Sequence, residues 1–371
     1  SSATWFRPSH SNPRGCVDMA GESLRAHREG TKRLTNLQTA ILPQRAWPGL
    51  ASVIAASVLL VTGCHREHPQ SMLHPASSAS AHIAWLWWVL FGVCTAVFVA
   101  VLILLAIAIR PRTAQAAEHS PVGSKFIVVC GIVLPAFVLF GLLMVTLRAQ
   151  VALKMPATEV TIRVTGHMWW WEVEYPELGI VTANEIHIPV GQPVRVELVA
   201  ADVIHSLWVP NLQGKMDLLP DKINVTWLAA ERPGIFRGQC AEYCGVQHAL
   251  MGLVVVALPQ NEFQQWIAAR QQPPEPAESA LVQRGREVFF ESTCHNCHSI
   301  VGSQAVGIRG PDLTHLASRQ TIGAGLLPNH RGNLSGWISN PQALKPGNLM
   351  PYTHIGSEDF HALIAYLESL K

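Results

Sequence analysis

The sequence predicts a multidomain protein in which a two-helix transmembrane hairpin precedes an all-β Greek-key sandwich and an all-α C-terminal domain. Two long apolar stretches come first, a region of β-branched residues and turn formers follows, and a helical pattern lies beyond a proline-rich segment. The 371 residues are enough for two or three domains. Hydrophobic residues make up 49% of the chain and charged residues 14%, which favours segments that lie in lipid.

Residues 1–63 are typical of an export signal. Basic residues precede an apolar run over residues 49–62, which is too short to span a bilayer and suits the core of a secretory signal. The run ends in Leu60-Val61-Thr62-Gly63-Cys64, which resembles the bacterial lipoprotein signal, in which the cysteine becomes the lipid-bearing first residue. An ordinary signal or a wrongly chosen start site is the alternative. We expect residues 1–63 to be removed, Cys64 to carry lipid and residues 64–82 to lie outside the cytoplasm.

Residues 83–109 and 126–147 form the predicted transmembrane hairpin. Each stretch is long enough to cross ~30 Å of hydrocarbon as a helix, since a helix rises ~1.5 Å per residue. Tryptophans lie at the start of the first stretch, where indoles prefer the membrane interface. The loop over residues 110–125 carries three basic residues against one acid, which indicates a cytoplasmic loop. A buried soluble hairpin is the alternative, but it rarely runs so long without a charge.

Residues 148–270 are predicted to form the β-sandwich. Stretches such as 161–164, 194–198 and 253–258 are rich in β-branched residues, and turn formers separate them. About seven short strands at this spacing indicate a Greek-key sandwich. Residues 271–280, with three prolines and two glutamates, are typical of a linker, and residues 281–371 show a helical pattern with an amphipathic end.

Charge and cysteine spacing narrow the functional classes. The formal net charge is +2, and residues 1–63 hold seven bases and three acids, which leaves 20 bases against 22 acids elsewhere. This balance excludes the basic field that nucleic-acid binding requires.

Of the eight cysteines, the last four form a C-x3-C and a C-x2-C pair, each followed by a histidine. Such pairs indicate metal or haem sites more than a disulfide framework.

The first pair lies in the segment from Cys240 to Met251, between two predicted strands. Two cysteines, His248 and a methionine fall within twelve residues, and thiolate, thioether and imidazole donors all suit copper. A second thiolate would let two sulfurs bridge two copper ions. Three alternatives stay open: a Cys240–Cys244 disulfide, a tetrahedral zinc site, which has no need of Met251, and a Met251 that only packs in the core.

The second pair forms the motif Cys294-His295-Asn296-Cys297-His298, the pattern of covalent c-type haem attachment. The two thiols would bind the haem vinyl groups, and His298 would be the proximal iron ligand. Met350 is the only methionine after this motif and is the expected sixth ligand, an arrangement that raises the haem potential. The rival ligands are four histidines: His315, His330, His354 and His361.

The segment Asp202–Pro210 followed by Cys240–Met251 resembles subunit II of haem–copper cytochrome c oxidases, over roughly residues 80–260. The resemblance implies a cupredoxin-like fold that holds the binuclear copper centre CuA. The ligands that it implies are His205, Cys240, Cys244, His248, Met251 and the backbone carbonyl of Glu242. It also implies that the Glu242 side chain reaches a magnesium ion at the contact with subunit I. His167 and His187 match no ligand position and are expected to be structural.

Two further segments resemble functional parts of known families. The aromatic stretch Gly166–Tyr175 resembles that of the oxidase subunit, in which one tryptophan admits electrons to CuA, and the matching residue is Trp169. The oxidase family usually has tyrosine where this chain has Trp170. The C-terminal region resembles class I cytochromes c, in which the carbonyl at the position of Pro311 orients the proximal imidazole.

The resemblance implies an electron relay in a bacterial cell membrane, with both outer domains on the periplasmic side. A donor such as cytochrome c would reduce haem c, and CuA would pass electrons to subunit I, beside subunit III, where oxygen is reduced and protons are pumped. The chain itself would perform no bond chemistry. A CuA-bearing nitric oxide reductase subunit and a membrane-anchored redox module are the alternatives. Two further alternatives are disfavoured. Nitrous oxide reductase also carries CuA but has tryptophan in place of Glu242, and a quinol oxidase subunit II would share the fold but lack the copper ligands.

Overall fold

A computed structural model describes residues 70–110, 123–274 and 279–371. The predicted leader, Cys64, most of the 110–125 loop and part of the 271–280 linker lie outside the described residues. All of the described residues belong to one unit, residues 67–371.

Two long helices form the predicted hairpin. Helix α1 spans Ser78–Ala108, and α2 spans Ser124–Ala152 with one π-helical turn at Val129–Val133. Ser77 caps α1, because its hydroxyl accepts a hydrogen bond from the backbone N–H of Ser80. The most apolar 18-residue stretches of the two helices have mean hydropathies of 3.0 and 2.8, and both helices are long and apolar enough to cross a membrane. At 31 and 29 residues, they are longer than the predicted spans.

Two five-stranded sheets form the sandwich, in the orders β3-β2-β1-β5-β8 and β4-β10-β9-β6-β7. The ten strands are β1 Val160–His167, β2 Trp170–Tyr175, β3 Ile180–Ala183, β4 Glu185–Pro189, β5 Val194–Ala200, β6 His205–Trp208, β7 Met216–Leu218, β8 Asn224–Leu228, β9 Gly234–Cys240 and β10 Gly252–Leu258. Strand β5 alternates buried and half-buried residues, as expected where one face of a sheet packs on the core. The prediction of about seven strands was too low, because β3, β6 and β7 are too short to show alternation in the sequence.

Helix α3, Gln260–Arg270, closes the sandwich by burying Phe263 and Trp266 against it. The C-terminal domain follows with its own buried core. Its helices are α4 Ala280–Glu291, α5 Arg331–Ser339, α6 Pro341–Leu344 and α7 Ser357–Ser369, with two short strands, β11 Thr321–Ile322 and β12 Leu327–Pro328. Helices α4 and α7 cross so closely that a Cβ on Gly285 would lie 1.9 Å from the carbonyl oxygen of Ala362. Only glycine therefore fits this crossing.

The C-terminal domain sits directly on the sandwich. The carboxylate of Glu185, at the start of β4, accepts a hydrogen bond of 3.0 Å from the backbone N–H of Thr321. The backbone N–H of Gly252 donates to the carbonyl of Ala324 over 2.9 Å. Since Gly252 directly follows the copper-ligand candidate Met251, this contact brings the C-terminal domain to the edge of the candidate metal site.

Candidate functional site

The segment from Cys240 to Met251, called the copper-ligand loop below, joins the end of β9 to the start of β10. The Sγ atoms of Cys240 and Cys244 lie 3.8 Å apart. The Nδ1 atom of His248 lies 3.7 Å from Cys244 Sγ, and the Sδ atom of Met251 lies 3.8 Å from it. The backbone carbonyl oxygen of Glu242 is 3.2 Å from Cys240 Sγ. Five donor atoms of the predicted set thus converge from one loop.

The sixth predicted donor comes from another strand. His205 begins β6, is fully buried, and its Nδ1 atom lies 4.0 Å from Cys240 Sγ. The Nε2 atom of the same ring is 2.8 Å from Oδ1 of Asp202, which fixes the ring and leaves Nδ1 facing the sulfurs. Gly166 makes room for this ring, because a Cβ there would lie 2.8 Å from Cδ2 of His205.

The electrostatics of the cluster favour a bound cation. The hydrogen bond between the two sulfurs strongly lowers the pKa of Cys240 and raises that of Cys244, and burial and the charge on Cys240 raise the pKa of Cys244 further. Burial acts to lower the pKa of His205, but its hydrogen bonds to Cys240 and Asp202 outweigh that effect and raise the pKa. The lowered pKa favours the thiolate form of Cys240, and thiolates are the metal-binding form of cysteine.

The donor set fits copper better than the alternatives. A disulfide requires about 2.05 Å between sulfurs, so the 3.8 Å separation leaves both thiols free to bind metal. The fully buried Met251 directs its sulfur at Cys244 as well as packing in the core, and a tetrahedral zinc site would leave that thioether unused. The Glu242 side chain is at the surface, with Lys215 Nζ 3.8 Å from its carboxylate. A magnesium ion at Glu242 stays a prediction.

A cavity of about 670 Å³ lies in the C-terminal domain and opens on the sandwich. Its lining is mostly apolar, and its volume is in the range of cofactor pockets. The lining includes all four of the residues predicted to bind haem, Cys294, Cys297, His298 and Met350. Trp169 and Asp202 of the sandwich form part of the opposite wall. The residues present therefore fit a covalently attached haem.

The proximal side of this haem cavity is preorganised. Nδ1 of His298 lies 2.7 Å from the carbonyl oxygen of Pro311, to which it can donate, and this leaves Nε2 for the iron. Burial lowers the pKa of His298, although the bond to Pro311 acts in the opposite direction, and a neutral imidazole is the form that binds iron. Gly310 permits the arrangement, because a Cβ there would lie 2.6 Å from Cε1 of the ring.

Among the candidates for the sixth iron ligand, Met350 alone belongs to the described lining of the haem cavity. His315 is engaged elsewhere, with its ring nitrogens 2.7 and 3.3 Å from the carbonyl oxygens of Lys371 and Arg270. His330 caps α5, and His354 packs its ring on Tyr352. The geometry favours the predicted Met350 over these rivals and over His361.

Trp169 stands between the two candidate sites. Its indole Nε1–H donates a hydrogen bond of 2.8 Å to the carbonyl of Cys244, and the residue also lines the haem cavity. His167, expected to be structural, lies in the cavity wall and stacks on Trp170 with ring centroids 4.3 Å apart. His187 is half-buried and stacks on Trp266 with ring centroids 4.4 Å apart.

Lys345 also lines the haem cavity, although the sequence did not predict it as a site residue. Burial lowers the pKa of its ammonium group to about 8, although the nearby Cys244 acts to raise it. Its significance depends on contacts with residues far away in the chain. No local motif could have indicated it.

Comparison with known families agrees with this architecture. The family model described as cytochrome c oxidase subunit II, periplasmic domain, matches residues 179–258, and the cytochrome c model matches residues 282–371. The cytochrome c oxidase subunit 2 of Alkalihalophilus pseudofirmus is 45% identical over 213 residues, which cover 57% of this chain and 61% of the relative. That of Bacillus sp. (strain PS3) is 36% identical over 229 residues, or 59% of this chain and 64% of the relative.

These matches span less than two thirds of the length of the two bacterial relatives. The cytochrome c oxidase subunit 2 of Drosophila bifasciata is 32% identical over 160 residues, which cover 37% of this chain and 70% of the relative. The predicted fold class is confirmed: two apolar helices, a cupredoxin-like sandwich and a helical cytochrome c domain. The chain belongs to the cytochrome c oxidase subunit 2 family and carries a cytochrome c domain at its C-terminal end.

Proposed function

We propose that this chain is the electron-accepting subunit II of a respiratory cytochrome c oxidase. It would take electrons from a reduced donor through its cytochrome c domain and deliver them through a binuclear copper site to subunit I. Oxygen would there be reduced to water with proton translocation. The observation that carries the proposal is the convergence of six donor atoms at the copper-ligand loop beside a cavity lined by a complete haem-attachment motif.

The side chains of this chain hold and orient the redox groups. His205, Cys240, Cys244, His248, Met251 and the carbonyl of Glu242 would hold the copper pair, and Cys294, Cys297, His298 and Met350 would hold haem c. When bound, these groups would supply one-electron redox chemistry at nearly fixed geometry. Pro311 orients the His298 imidazole, and Asp202 orients that of His205. Trp169 would be the residue through which electrons reach the copper site, because it touches the haem cavity and bonds to Cys244.

The setting that we propose is a bacterial cell membrane. Helices α1 and α2 would cross it twice, with the 110–125 loop in the cytoplasm, and the domains at 148–270 and 281–371 would lie on the periplasmic side. Lipid on Cys64 would add a further anchor after removal of residues 1–63. Subunit I, and with it subunit III, would contact the sandwich, with a magnesium ion at Glu242. The donor would be cytochrome c or another small redox protein.

Purification of the native complex tests this proposal. A large haem-bearing membrane subunit should copurify with the chain, and the complex should take up oxygen when supplied with reduced cytochrome c. Metal analysis should give about two copper atoms beyond the copper of the haem–copper site in subunit I, and one covalent haem, since each site of this chain has a full set of donors. Nitric oxide consumption without oxygen uptake would support a nitric oxide reductase instead. Absence of any partner subunit would support the membrane-anchored redox module.

A further inference from the structure

Lys345 is a buried cation in an unusual setting. Only 2% of the residue is exposed, and within the described ranges no carboxylate lies at ion-pair distance from its ammonium group. The Nζ atom instead donates to two carbonyl oxygens, that of Gly323 at 3.2 Å and that of Trp169 at 3.4 Å. A buried charge without an ionic partner adds little to stability, because its desolvation is costly. The position of Lys345 is better explained by the arrangement in which it holds the residues that it bonds to.

The carbonyl of Trp169 belongs to the sandwich, whereas Lys345 and Gly323 belong to the cytochrome c domain. Lys345 is thus the centre of a contact between the two domains. On one side of it, Gly252 donates to Ala324, the neighbour of Gly323. On the other side, the Gln247 amide in the copper-ligand loop donates to the carbonyl of Pro346.

Hydrogen bonds through Lys345 connect the two candidate redox sites. The backbone N–H of Met350 donates to the side-chain oxygen of Asn348 over 2.8 Å, and the amide nitrogen of Asn348 donates to the carbonyl of Lys345 over 2.7 Å. The ammonium of Lys345 then bonds to the carbonyl of Trp169, whose indole N–H donates to the carbonyl of Cys244. These hydrogen bonds, together with the covalent bonds within Asn348, Lys345 and Trp169, connect the backbone of the predicted iron ligand Met350 to that of the predicted copper ligand Cys244.

We propose that Lys345 is the positioning residue for electron transfer from haem c to the copper pair, and that it acts by fastening the Met350 segment to the carbonyl of Trp169. The inference rests on the proposed function. The step that it serves moves one electron: ferrous haem becomes ferric, the copper pair gains the same electron, and no bond or proton is transferred. A small displacement of fixed redox partners is enough to slow such a step.

The test uses the purified complex carrying Lys345→Met, Lys345→Gln or Lys345→Arg. Lys371→Met is the matched control, because it removes a lysine charge from the exposed C-terminal residue of the same domain. Rapid mixing with a reductant for haem c, followed optically, gives the rate of haem-to-copper transfer. Hydrogen exchange of peptides containing Gly252 reports domain contact, and a redox titration gives the haem potential.

In the Met and Gln variants we expect transfer to slow on the order of 10-fold or more, with both cofactor spectra intact. Exchange at Gly252 should rise, and the haem potential should fall, because the nearby cation favours the reduced haem. The Arg variant should recover most of the rate, and Lys371→Met should match the wild type. If the Met variant fails to assemble, the Gln variant alone decides the question.

A wild-type rate in both the Met and Gln variants would overturn the role of Lys345. That result differs from failure of the proposed function, in which the wild-type complex itself would show no haem-to-copper transfer.

Discussion

The copper-ligand loop and the haem cavity both bring their predicted ligands together, but they differ in which domains supply the residues around those ligands. The loop draws all its donors from the sandwich, and the buried Cys244 has its Sγ atom 3.8 Å from the sulfurs of Cys240 and Met251, which are also buried. The predicted haem ligands come from the cytochrome c domain, but part of the wall of the haem cavity, including Trp169 and Asp202, comes from the sandwich. We infer that the copper site is complete within its own domain, whereas the surroundings of the haem depend on docking of the two domains.

Replacing Cys244 by serine should have the largest effect, and only on the copper side of this comparison. Cys244 Sγ lies within 4 Å of Cys240, His248 and Met251, so its loss removes the common neighbour of three donors. The copper content of the complex should fall by more than one atom relative to the wild type, since a hydroxyl is a poor substitute for a soft thiolate. Covalent haem should stay at one per chain. Metal analysis and haem spectra of the purified complex measure both.

Cys94→Ser is the control for this change, because Cys94 is a free, exposed cysteine on α1, remote in sequence from the copper-ligand loop. Retention of both copper atoms in the Cys244→Ser variant would remove Cys244 from the ligand set.

Replacing Met350 by leucine should affect the haem side alone. The thioether bonds from Cys294 and Cys297 should keep the haem attached, while the weak Met–iron absorption band disappears. The haem potential should fall, because Met/His ligation raises it. Copper content should not change. Met155→Leu, at an exposed methionine near the end of α2, controls for loss of a thioether. Survival of the band would mean that another residue binds the iron.

Replacing Asp202 by asparagine should have a smaller effect, on the copper affinity. Asp202 tests the comparison because it belongs to both sites. Asp202 holds His205 Nε2 at 2.8 Å and also lines the haem cavity. Loss of the carboxylate that orients a ligating histidine typically weakens metal binding about 10- to 100-fold. Competition with a copper chelator measures that affinity.

The control for Asp202→Asn is Asp221→Asn. Asp221 is exposed and has a positive φ of 61°, a conformation that asparagine also tolerates. Equal copper affinities in the two variants would show that Asp202 does not support His205.

The sequence was most informative where function depends on neighbours along the chain. Cys240, Cys244, His248 and Met251 lie within twelve residues, and the haem motif within five, so donor chemistry alone indicated both sites. His205 lies 35 residues before Cys240 and was assigned only through family resemblance. Its burial beside the sulfurs depends on the pairing of β6 with β9.

The contact between domains could not be predicted in this way. Lys345 and Trp169 are 176 residues apart, and neither has a local pattern that implies the other. Glu185 and Thr321 are likewise distant, at 136 residues. The proline-rich segment over 271–280 indicated only a linker between domains. Such docking depends on two complete surfaces that meet, and hydrophobic periodicity describes each surface separately.

The smallest effect that we predict concerns this interface. Glu185 is 1% exposed, and burial raises its pKa from 4.5 to about 7. The amides of Thr321 and Gln320, and the charges of Arg319 and Arg270, act in the opposite direction. Since the folded-state pKa is raised, the contribution of Glu185 to stability is greatest below about pH 4.5. It declines as the pH rises to 7, by about 3 kcal/mol at most.

Glu185→Gln should abolish this pH dependence, because an amide stays neutral and its oxygen can still accept from Thr321. The variant should unfold at a temperature about 5 °C higher than the wild type at pH 8, and the difference should shrink towards pH 5. Thermal unfolding followed by circular dichroism at the two pH values measures the shift. Glu177→Gln, at an exposed glutamate of the sandwich, should match the wild type at both. A Glu185→Gln difference independent of pH would mean that the carboxyl group keeps one charge state throughout, and that docking of the haem domain does not respond to protonation there.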